Sequence, residues 1–291
     1  MKKNIVYYPL TAAPLKKNPF YTEITPCRQL DSYIRCFWGT AHPVIQAEKD
    51  SAFQLVIPDT CADIIYSIDY TENTVSGGFC GVNDHSFYAY EMQKEGHLVS
   101  TFAIRFYAWA ACVFAQDSLK STLNGYFEAE AKFEQLDRMI RPVLLELKTL
   151  EEKTAYVQQL LMQRLAFAKE NTTVKEAVSN ILMHRGTMEV SKLAKESFVS
   201  SRQLERLFQD YIGMTPKKLS CLVRYQFLWR DILCVEDFQI LNAVHQYGYT
   251  DQSHLMREFK RFHSMDIQSA KRMAFADVVN IQDSLAHRIV K

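Results

Sequence analysis

The sequence predicts an α+β fold, in which an N-terminal antiparallel β-barrel-like domain with amphipathic helices precedes an all-α domain with two helix-turn-helix units joined by a helix. Three observations predict this fold. Strand-like runs fill the first hundred residues without alternating with helices, which argues against a parallel sheet. Further along, apolar residues recur every three or four positions. One short helical segment near residue 204 also has a second copy 51 residues later.

The strand-rich part extends to about residue 117. The runs AFQLVIPDT and CADIIYSIDY favour strands around a turn at Pro58 and Asp59, and the pattern continues through TVSGGFCGVNDHSFYAY and HLVSTFAIRFYAW. The basic N-terminus is interrupted by prolines and further lysines, so it reads as a strand and loop instead of a signal peptide. No apolar run approaches the length of a membrane span. We therefore expect a cytoplasmic protein with no membrane partner.

Residues 118–168 are predicted to be helical. One apolar stripe runs from Phe133 to Leu150 and a second from Tyr156 to Leu165, with a kink or boundary at Pro142. Both stripes can pack on the sheet of their own chain, which is the reading we favour. The alternative is that the first stripe mates with a second subunit, which would make the protein a homodimer.

The best candidate linker is the segment AKENTTV, residues 168–174. Thr173 and Glu176 have the spacing of a helix capping box, so a new helical domain is expected to begin there. With 291 residues, the chain is long enough for about two domains. We divide it into residues 1–170 and residues 171–280.

Charge and cysteine usage narrow the chemistry. Residues 1–186 carry 19 Lys and Arg against 21 Asp and Glu, whereas residues 187–275 carry 13 against 10. This basic lean is compatible with nucleic-acid binding and does not establish it. The seven cysteines form no CxxC pair and the eight histidines are scattered, so we expect no metal site and no cofactor. No nucleophile–base pair or phosphate loop predicts catalysis.

The stretch SSRQLERLFQDYIGMTPKKL predicts a helix that begins at Ser200. Ser200 and Gln203 have capping-box spacing, Gly213 lies where a helix-ending glycine would lie, and Pro216 prevents continuation. The apolar face is formed by Leu204, Leu207, Phe208 and Tyr211. A short helix MEVSKLAKE precedes it, with the small Ala194 at the expected crossing and residues 197–200 between the two helices. This is the pattern of a helix-turn-helix unit.

The second copy is GYTDQSHLMREFKRFHSM. A shift of 51 residues places Leu204 on Leu255 and Arg206 on Arg257, and Gly213 falls on Ser264. The helix ILNAVHQY takes the place of the preceding helix, and LVRYQFLWRDIL is apolar at helical spacing and would join the copies rigidly. One such motif is weak evidence for nucleic-acid binding, but two motifs phased about a connecting helix are strong evidence.

With these two motifs and the helix between them, residues 173–275 resemble the DNA-binding domain of the AraC/XylS family of transcription regulators. The matching positions are Leu193, Ala194, Ser200, Leu204, Arg206, Phe208, Gly213, Pro216, Arg224, Gly248, Tyr249, Asp251, Gln252, Ser253, His254, Arg257 and Phe259. The chain departs from the family pattern at Val244, Ser264 and Ile267, where the family has alanine, glycine and proline. The resemblance implies two recognition helices that enter successive major grooves of double-stranded promoter DNA.

The N-terminal part more loosely resembles the sensor domain of one branch of these regulators. The likeness covers residues 20–120 and is carried by CRQLDSYIRCFWG, IPDTCADIIYSI and IRFYAWAACVFA. It implies that residues 1–170 sense a small-molecule effector or mediate dimerisation, and that residues 171–280 bind DNA. In the N-terminal domain, His85 and Arg105 are the candidate ligand-binding residues, whereas Asp59 is expected to organise its turn.

If the helices enter major grooves, the residues opposite their apolar faces reach base edges, because arginine suits guanine and a carboxylate can accept from cytosine. The predicted base contacts are Ser201, Arg202, Glu205, Arg206, Gln252, Ser253, Met256 and Arg257. The predicted phosphate contacts are Ser200, Lys217, Lys218, Lys260 and Arg261, of which the last four are expected past the helix ends. In the alternative reading, Arg206 and Arg257 pair with Glu205 and Glu258 on a solvated face.

Two other functions compete with a ligand-responsive regulator. A DNA-repair methyl-accepting enzyme could use the same DNA-binding domain for targeting, but it needs a zinc-held cysteine thiolate, and Cys27 and Cys36 lack the partner pair for such a site. The N-terminal domain could also be a dimerisation module that has no ligand. We favour a regulator without enzymatic activity.

Overall fold

The computed structural model of the chain describes residues 7–14, 21–46, 54–89, 95–168 and 170–276. Its N-terminal part contains the strands β1 (Thr22–Ile24), β2 (Ile34–Gly39), β3 (Val44–Ile45), β4 (Gln54–Val56), β5 (Cys61–Asp69), β6 (Thr74–Cys80), β7 (Phe87–Ala89), β8 (Leu98–Tyr107) and β9 (Tyr126–Glu128). The main sheet has the order β1-β2-β8-β5-β6-β9, and β3 also pairs with β8. Strands β4 and β7 form a separate two-stranded sheet. The first residues, 1–6, and residues 15–20, for which a strand and loop are predicted, lie outside the described residues.

Every strand pair in the main sheet is antiparallel, which confirms the predicted sheet class. Over residues 64–68 of β5 the pleat alternates buried residues with half-buried or exposed ones, and the inward residues Ile64, Tyr66 and Ile68 are fully buried. Strands β1 and β9 lie at opposite edges of the main sheet, so the described strands form an open sheet. The sheet shares the antiparallel pairing of the predicted barrel-like fold, but it is not a closed barrel.

The helices of this part are α1 (Ala111–Phe114), α2 (Glu130–Ile140) and α3 (Leu150–Leu165), with a 3₁₀ turn over Arg141–Val143. The boundary predicted at Pro142 falls in that turn. Thr149 and Glu152 form a complete capping box at the start of α3. The prediction that residues 118–168 are all helical is wrong over β9, which pairs with residues 78–80 of β6. The helical period could not show this, because the strand forms through a distant partner.

The apolar stripe of α2 packs within its own chain. Phe133, Leu136 and Ile140 are all buried, and Phe133 contacts Phe79 of β6 with 4.9 Å between the ring centroids. The stripe continues into buried Leu144 and Leu150. The favoured reading of this stripe, packing on the sheet of the same chain, therefore agrees with the structure, and the stripe is not left free for a second subunit.

The C-terminal part is helical, as predicted, with α4 (Thr172–Met183), α5 (Val190–Glu196), α6 (Ser201–Ile212), α7 (Pro216–Cys234), α8 (Ile240–Gln246), α9 (Gln252–His263) and α10 (Ile267–Phe275). The capping box predicted at Thr173 is wrong. Asn171 caps α4 instead, because its side chain accepts a hydrogen bond from the backbone N–H of Val174 at 3.0 Å. In the part of the chain that the structure describes, no helix is both long enough and apolar enough to cross a membrane.

Helix α7 packs against the N-terminal residues as well as against its own domain. The Gln226 amide accepts from the backbone N–H of Leu10 at 2.7 Å and donates to the carbonyl of Pro58 at 2.6 Å. The Trp229 indole donates to the carbonyl of Thr11 at 3.1 Å, and Tyr7 lies against the Phe227 ring. Residues 7–11 are therefore held between the connecting helix and the sheet.

Candidate nucleic-acid interface

The first helix-turn-helix unit is built from α5 and α6. Leu193 and Ala194 of α5 are buried, and the turn is tight because Phe198 adopts a positive φ of 56°. The Ser200 hydroxyl accepts from the backbone N–H of Gln203 at 3.2 Å and so caps α6, as predicted. Gly213 ends α6 in the left-handed conformation, with φ of 84°.

One face of α6 is buried and the opposite face is exposed. The buried face holds Leu204, Phe208 and Ile212, and the predicted members Leu207 and Tyr211 are half-buried at its margin. The residues predicted to contact bases are all exposed: Ser201, Arg202, Glu205 and Arg206. This division follows directly from the helical period.

The exposed charges of α6 are not engaged elsewhere. Among the described residues, neither Arg202 nor Arg206 forms an ion pair or a side-chain hydrogen bond, and neither does Glu205. The alternative reading, in which Arg206 pairs with Glu205, is therefore not realised in this structure. The face is free to accept contacts from an external partner.

The second unit repeats this geometry in the same register. Helices α6 and α9 both have 12 residues, and their capping residues Ser200 and Asp251 are 51 positions apart, as are Gly213 and Ser264 at their ends. Asp251 accepts from the backbone N–H of His254 at 2.7 Å. Ser264 adopts the left-handed conformation with φ of 60°, so the departure from glycine there does not move the end of the helix.

The turn of the second unit differs from that of the first. Helices α5 and α8 begin 50 positions apart, whereas α6 and α9 begin 51 apart, so the second turn is one residue longer. Gly248 takes the positive φ, 64°, that Phe198 takes in the first turn.

The outward face of α9 presents the four residues predicted for it. Gln252, Ser253, Met256 and Arg257 are exposed, and Arg257 has no ion pair among the described residues. Its neighbour Glu258 is engaged by Arg224 of α7 instead, with Nη2–Oε1 and Nη2–Oε2 distances of 2.6 and 2.8 Å. The alternative pairing of Arg257 with Glu258 is therefore also not formed.

The register also shows how the two faces differ. Arg206 and Arg257 are equivalent, but Met256 occupies the position of Glu205, and Ser253 that of Arg202. The face of α6 is therefore charged with both signs, whereas the face of α9 combines one arginine with an apolar thioether. The two faces therefore present different hydrogen-bonding groups to an external partner.

The predicted phosphate-contact residues lie at helix ends. Lys217 and Lys218 are in the first turn of α7 and both are exposed, but Lys218 Nζ pairs with Asp84 Oδ2 at 2.6 Å. The prediction that Lys260 and Arg261 lie past the end of their helix is wrong, because both belong to the last turn of α9. Helix α9 continues to His263, because Ser264 ends it at the position equivalent to Gly213.

The two candidate ligand residues of the N-terminal domain have different surroundings. Arg105 is enclosed: its Nε donates to Asp63 Oδ1 at 2.9 Å, and Asp59 Oδ2 lies 3.5 Å from its Nη1. Although burial opposes the charge, Asp63 and Asp59 hold the pKa of Arg105 well above its usual value. The Asp59 carboxylate also accepts from the backbone N–H of Cys61 at 3.1 Å, as expected for a turn residue.

His85 is exposed, and its Nδ1 lies 3.3 Å from Asp84 Oδ1. The structure thus places His85 on the surface beside Asp84 and Arg105 inside an ion-pair cluster, and it does not bring the two candidates together. No group of three or more potential metal ligands occurs within the described ranges.

Two tertiary contacts near the candidate interface were not predicted from the sequence. Asp84 meets Lys218, which is 134 positions away, and nothing in the residues around Asp84 signals this. Arg224 appears in the motif, but the only pairing considered for Glu258 was the alternative one with Arg257. The apolar run around Arg224 indicates that this arginine requires an acidic partner, but it does not identify Glu258.

Comparison with known proteins supports the assignment of these two units. Residues 193–272 match the family model of a helix-turn-helix domain, and residues 22–128 match that of a domain of unknown function, DUF6597. No curated protein matches the chain.

Several solved structures are similar. A transcriptional regulator with an AraC-type DNA-binding domain from Chromobacterium violaceum is 23% identical and matches over 38% of this chain and 96% of its own, with a TM-score of 0.33. ToxT from Vibrio cholerae with bound unsaturated fatty acid is 11% identical over 81% and 95%, with a TM-score of 0.39. ToxT bound to (E)-4-(8-methylnaphthalen-1-yl)but-3-enoic acid is 10% identical over 82% and 99%, with a TM-score of 0.39.

The matched family model spans α5 to α10 and so includes both recognition helices. Their equal lengths, equal registers and unpaired outer faces are the arrangement expected of a double helix-turn-helix reader of DNA. The C-terminal part of the chain therefore contains a helix-turn-helix domain, in agreement with the resemblance to the DNA-binding domain of the AraC/XylS family found in the sequence.

Proposed function

We propose that the protein regulates transcription by binding a specific promoter sequence, with α6 and α9 in successive major grooves. The observation that carries this proposal is the pair of exposed, unpaired faces in identical register. Two recognition helices held by one connecting helix predict contact segments about one helical turn, ~34 Å, apart on one side of the duplex. Arg206 and Arg257 are proposed to read guanine, with Ser201, Arg202, Glu205, Gln252, Ser253 and Met256 completing the base contacts.

We also propose the division of labour between the two parts of the chain. Residues 171–280 bind DNA, and residues 277–280 of this range lie outside the described residues. Residues 1–170 are proposed to sense a small molecule or to mediate dimerisation. Contacts of Gln226 and Trp229 with residues 10, 11 and 58 support a link by which the state of the first domain would reach the second.

The surroundings of the N-terminal cysteines favour a regulator over a methyl-accepting repair enzyme. Burial raises the pKa of Cys36 to about 12, and a methyl-accepting thiolate requires a shift in the opposite direction. Cys27 is half-buried, and its thiol donates to the Met162 sulfur at 3.7 Å.

Selection of bound sequences from a randomised duplex library tests the proposal. The wild-type protein should yield two short preferred segments. Arg206→Ala should remove the preference at one position of one segment, and Arg257→Ala at the equivalent position of the other. Each bidentate arginine–guanine contact is worth about 1–3 kcal/mol, so discrimination there should fall roughly 5- to 150-fold. Arg202→Ala should relax one further position in the first segment.

Arg138→Ala is the matched control, because Arg138 is an exposed arginine of α2 that lies outside the DNA-binding domain. It should leave the selected sequence unchanged. Recovery of no preferred sequence by the wild-type protein, or identical preferences in the wild type and both recognition-helix variants, would contradict the proposal.

A further inference from the structure

The second recognition helix is bound to the connecting helix by a buried ion pair. Arg224, near the middle of α7, donates three hydrogen bonds to Glu258 of α9. The Nη2–Oε1, Nη2–Oε2 and Nε–Oε1 distances are 2.6, 2.8 and 3.2 Å. The two side chains are only 10% and 11% exposed. A bidentate pair between a guanidinium and a carboxylate fixes the relative orientation of the two groups as well as the distance between them.

Tyr249 completes this cluster from the turn between α8 and α9. Its hydroxyl donates to Glu258 Oε1 at 2.8 Å, and the guanidinium of Arg224 lies 4.3 Å from the centroid of its ring. The Tyr249 side chain is itself buried. The cluster therefore ties three elements together: the connecting helix, the turn, and the recognition helix.

Among the described residues, no equivalent ion-pair cluster holds the first unit. The position equivalent to Glu258 in α6 is Leu207, a half-buried apolar residue. Helix α6 is held instead by apolar side chains such as Leu204 and Phe208. Apolar packing is not directional, so it permits small rotations that a bidentate ion pair resists.

A buried ion pair is a poor source of stability, because the cost of removing both charges from water offsets their attraction. Its best supported role is to specify one arrangement among several that are close in energy. In this chain the arrangement that it specifies is the angle and distance of α9 relative to α7. Because α7 has 19 residues, about 28 Å of helix, and also carries α6, this fixes one recognition helix relative to the other.

We propose that Arg224, Glu258 and Tyr249 are positioning residues that set the separation and rotation of the two recognition helices, and hence the spacing between DNA segments that the protein accepts. The inference rests on the proposed function, since it concerns the DNA target of the same two helices. None of the three residues needs to touch DNA. Their effect is on which spacing is bound, whereas the exposed faces decide which bases are bound.

The test compares three duplexes that carry the sequence selected by the wild-type protein, with the selected spacing or with one base pair inserted or removed between the segments. One base pair shifts a segment by about 3.4 Å and about 34° around the duplex. The dissociation constant is measured for each. For the wild-type protein we expect a penalty of roughly tenfold or more on both altered duplexes, because α9 cannot follow its segment.

The informative variant is the double substitution R224M/E258L, which replaces the ion pair by apolar side chains, a change that buried ion pairs often tolerate. Its penalty on the altered duplexes should be at least threefold smaller than that of the wild type. Y249F removes one donor and keeps the ring, so its penalty should be intermediate, and it decides the matter if the double variant does not fold. The control E134L/R138M changes an exposed pair of α2 in the same way and should match the wild type.

Two results would overturn the inference: an undiminished penalty in both variants, or an equal loss of affinity on all three duplexes, as a merely structural role would produce. Failure of the proposed function is seen separately, because the wild-type protein would then select no sequence at all.

Discussion

His263 shows how a single buried side chain makes stability depend on pH. The ring is fully buried in the second unit, where Nδ1 lies 2.8 Å from the Tyr225 hydroxyl and the ring stacks on Phe259. Burial lowers the pKa of His263 from 6.5 to about 4. The neutral ring is thus the form that the folded protein accommodates.

The sign of the effect follows from this depression. Between pH 6.5 and about 4 the unfolded chain binds a proton at His263 and the folded protein does not, so the stability contributed above pH 6.5 is lost as the pH falls. From pH 7 to pH 5 the free energy of unfolding should fall by ~2 kcal/mol more in the wild type than in His263→Gln. Urea unfolding at the two pH values measures the difference.

His254→Gln is the control, because His254 lies on the same helix but is only half-buried. It should retain the pH dependence of the wild-type protein. An equal pH dependence in the His263 variant and the wild type would show that another group is responsible.

At the scale of the element, two glycines with positive φ differ in what surrounds them. A side chain at Gly213, at the end of α6, would place its Cβ 2.7 Å from Thr122 Oγ1 and 2.8 Å from the carbonyl oxygen of Leu119. A Cβ at Gly248 would meet nothing within 4 Å. The first glycine therefore allows a close approach of the N-terminal domain, and the second serves only the turn.

Gly248→Ala should cost about 1 kcal/mol of unfolding free energy, the ordinary price of a left-handed non-glycine residue. Gly213→Ala should cost ~2 kcal/mol or more, because the clash with Leu119 adds to the same backbone strain. Chemical denaturation of both variants gives the comparison. Equal losses would mean that segment 119–122 moves aside without cost.

Element prediction succeeded where information was local. The N-cap Ser200 and the helix-ending Gly213 of α6 depend only on residues that are close in the sequence, so the sequence was sufficient to predict both ends of this helix. The cap predicted at Thr173 was wrong because Asn171, two residues earlier, offers the same chemistry. Strand β9 was missed because three residues carry too little periodicity, and their pairing with residues 78–80 supplies what makes them a strand.

The candidate site divides in the same manner. The exposed faces of α6 and α9 were predictable, since burial of Leu204 and Leu255 sets the opposite face outward. The pairings of Arg224 and Lys218 were not predictable, because each depends on tertiary approach between elements 34 and 134 positions apart. Helical period reports which side of a helix is buried, and it does not report which distant side chain lies there.

At the scale of the whole molecule, an acidic residue of the N-terminal domain pairs with Lys218, one of the residues predicted to contact phosphate. Asp84 pairs with Lys218 and accepts from the Asn124 amide at 2.8 Å. Although partial burial opposes ionisation, the hydrogen bonds from Lys218 and Asn124 lower the pKa of Asp84 to about 2. The neighbouring Ser86 hydroxyl also bonds to Ser264, at the end of α9. Residues 84–86 therefore contact both the connecting helix α7 and the end of the second recognition helix.

Asp84→Asn should release Lys218 for the phosphate backbone. DNA affinity should rise by roughly two- to fivefold at low salt, and the slope of log affinity against log salt should steepen by about 0.9, the value for one added phosphate contact. Fluorescence anisotropy across a salt series measures both quantities. The gain should disappear in D84N/K218Q, and Asp117→Asn, an exposed acid elsewhere in the N-terminal domain, should give none. A gain that survives the second substitution would point to the net charge of the protein instead.

The burial of α7 also bears on how the molecule unfolds. Its Gln226 amide and Trp229 indole are satisfied by backbone of residues 10, 11 and 58, and its other side supports both recognition helices. No cut between the two parts leaves this helix with a complete set of partners. Heating should therefore melt the N-terminal and C-terminal parts in one cooperative transition. A fragment that begins at residue 171 should expose the face of α7 that residues 7–11 normally cover, and it should associate with other chains through that face.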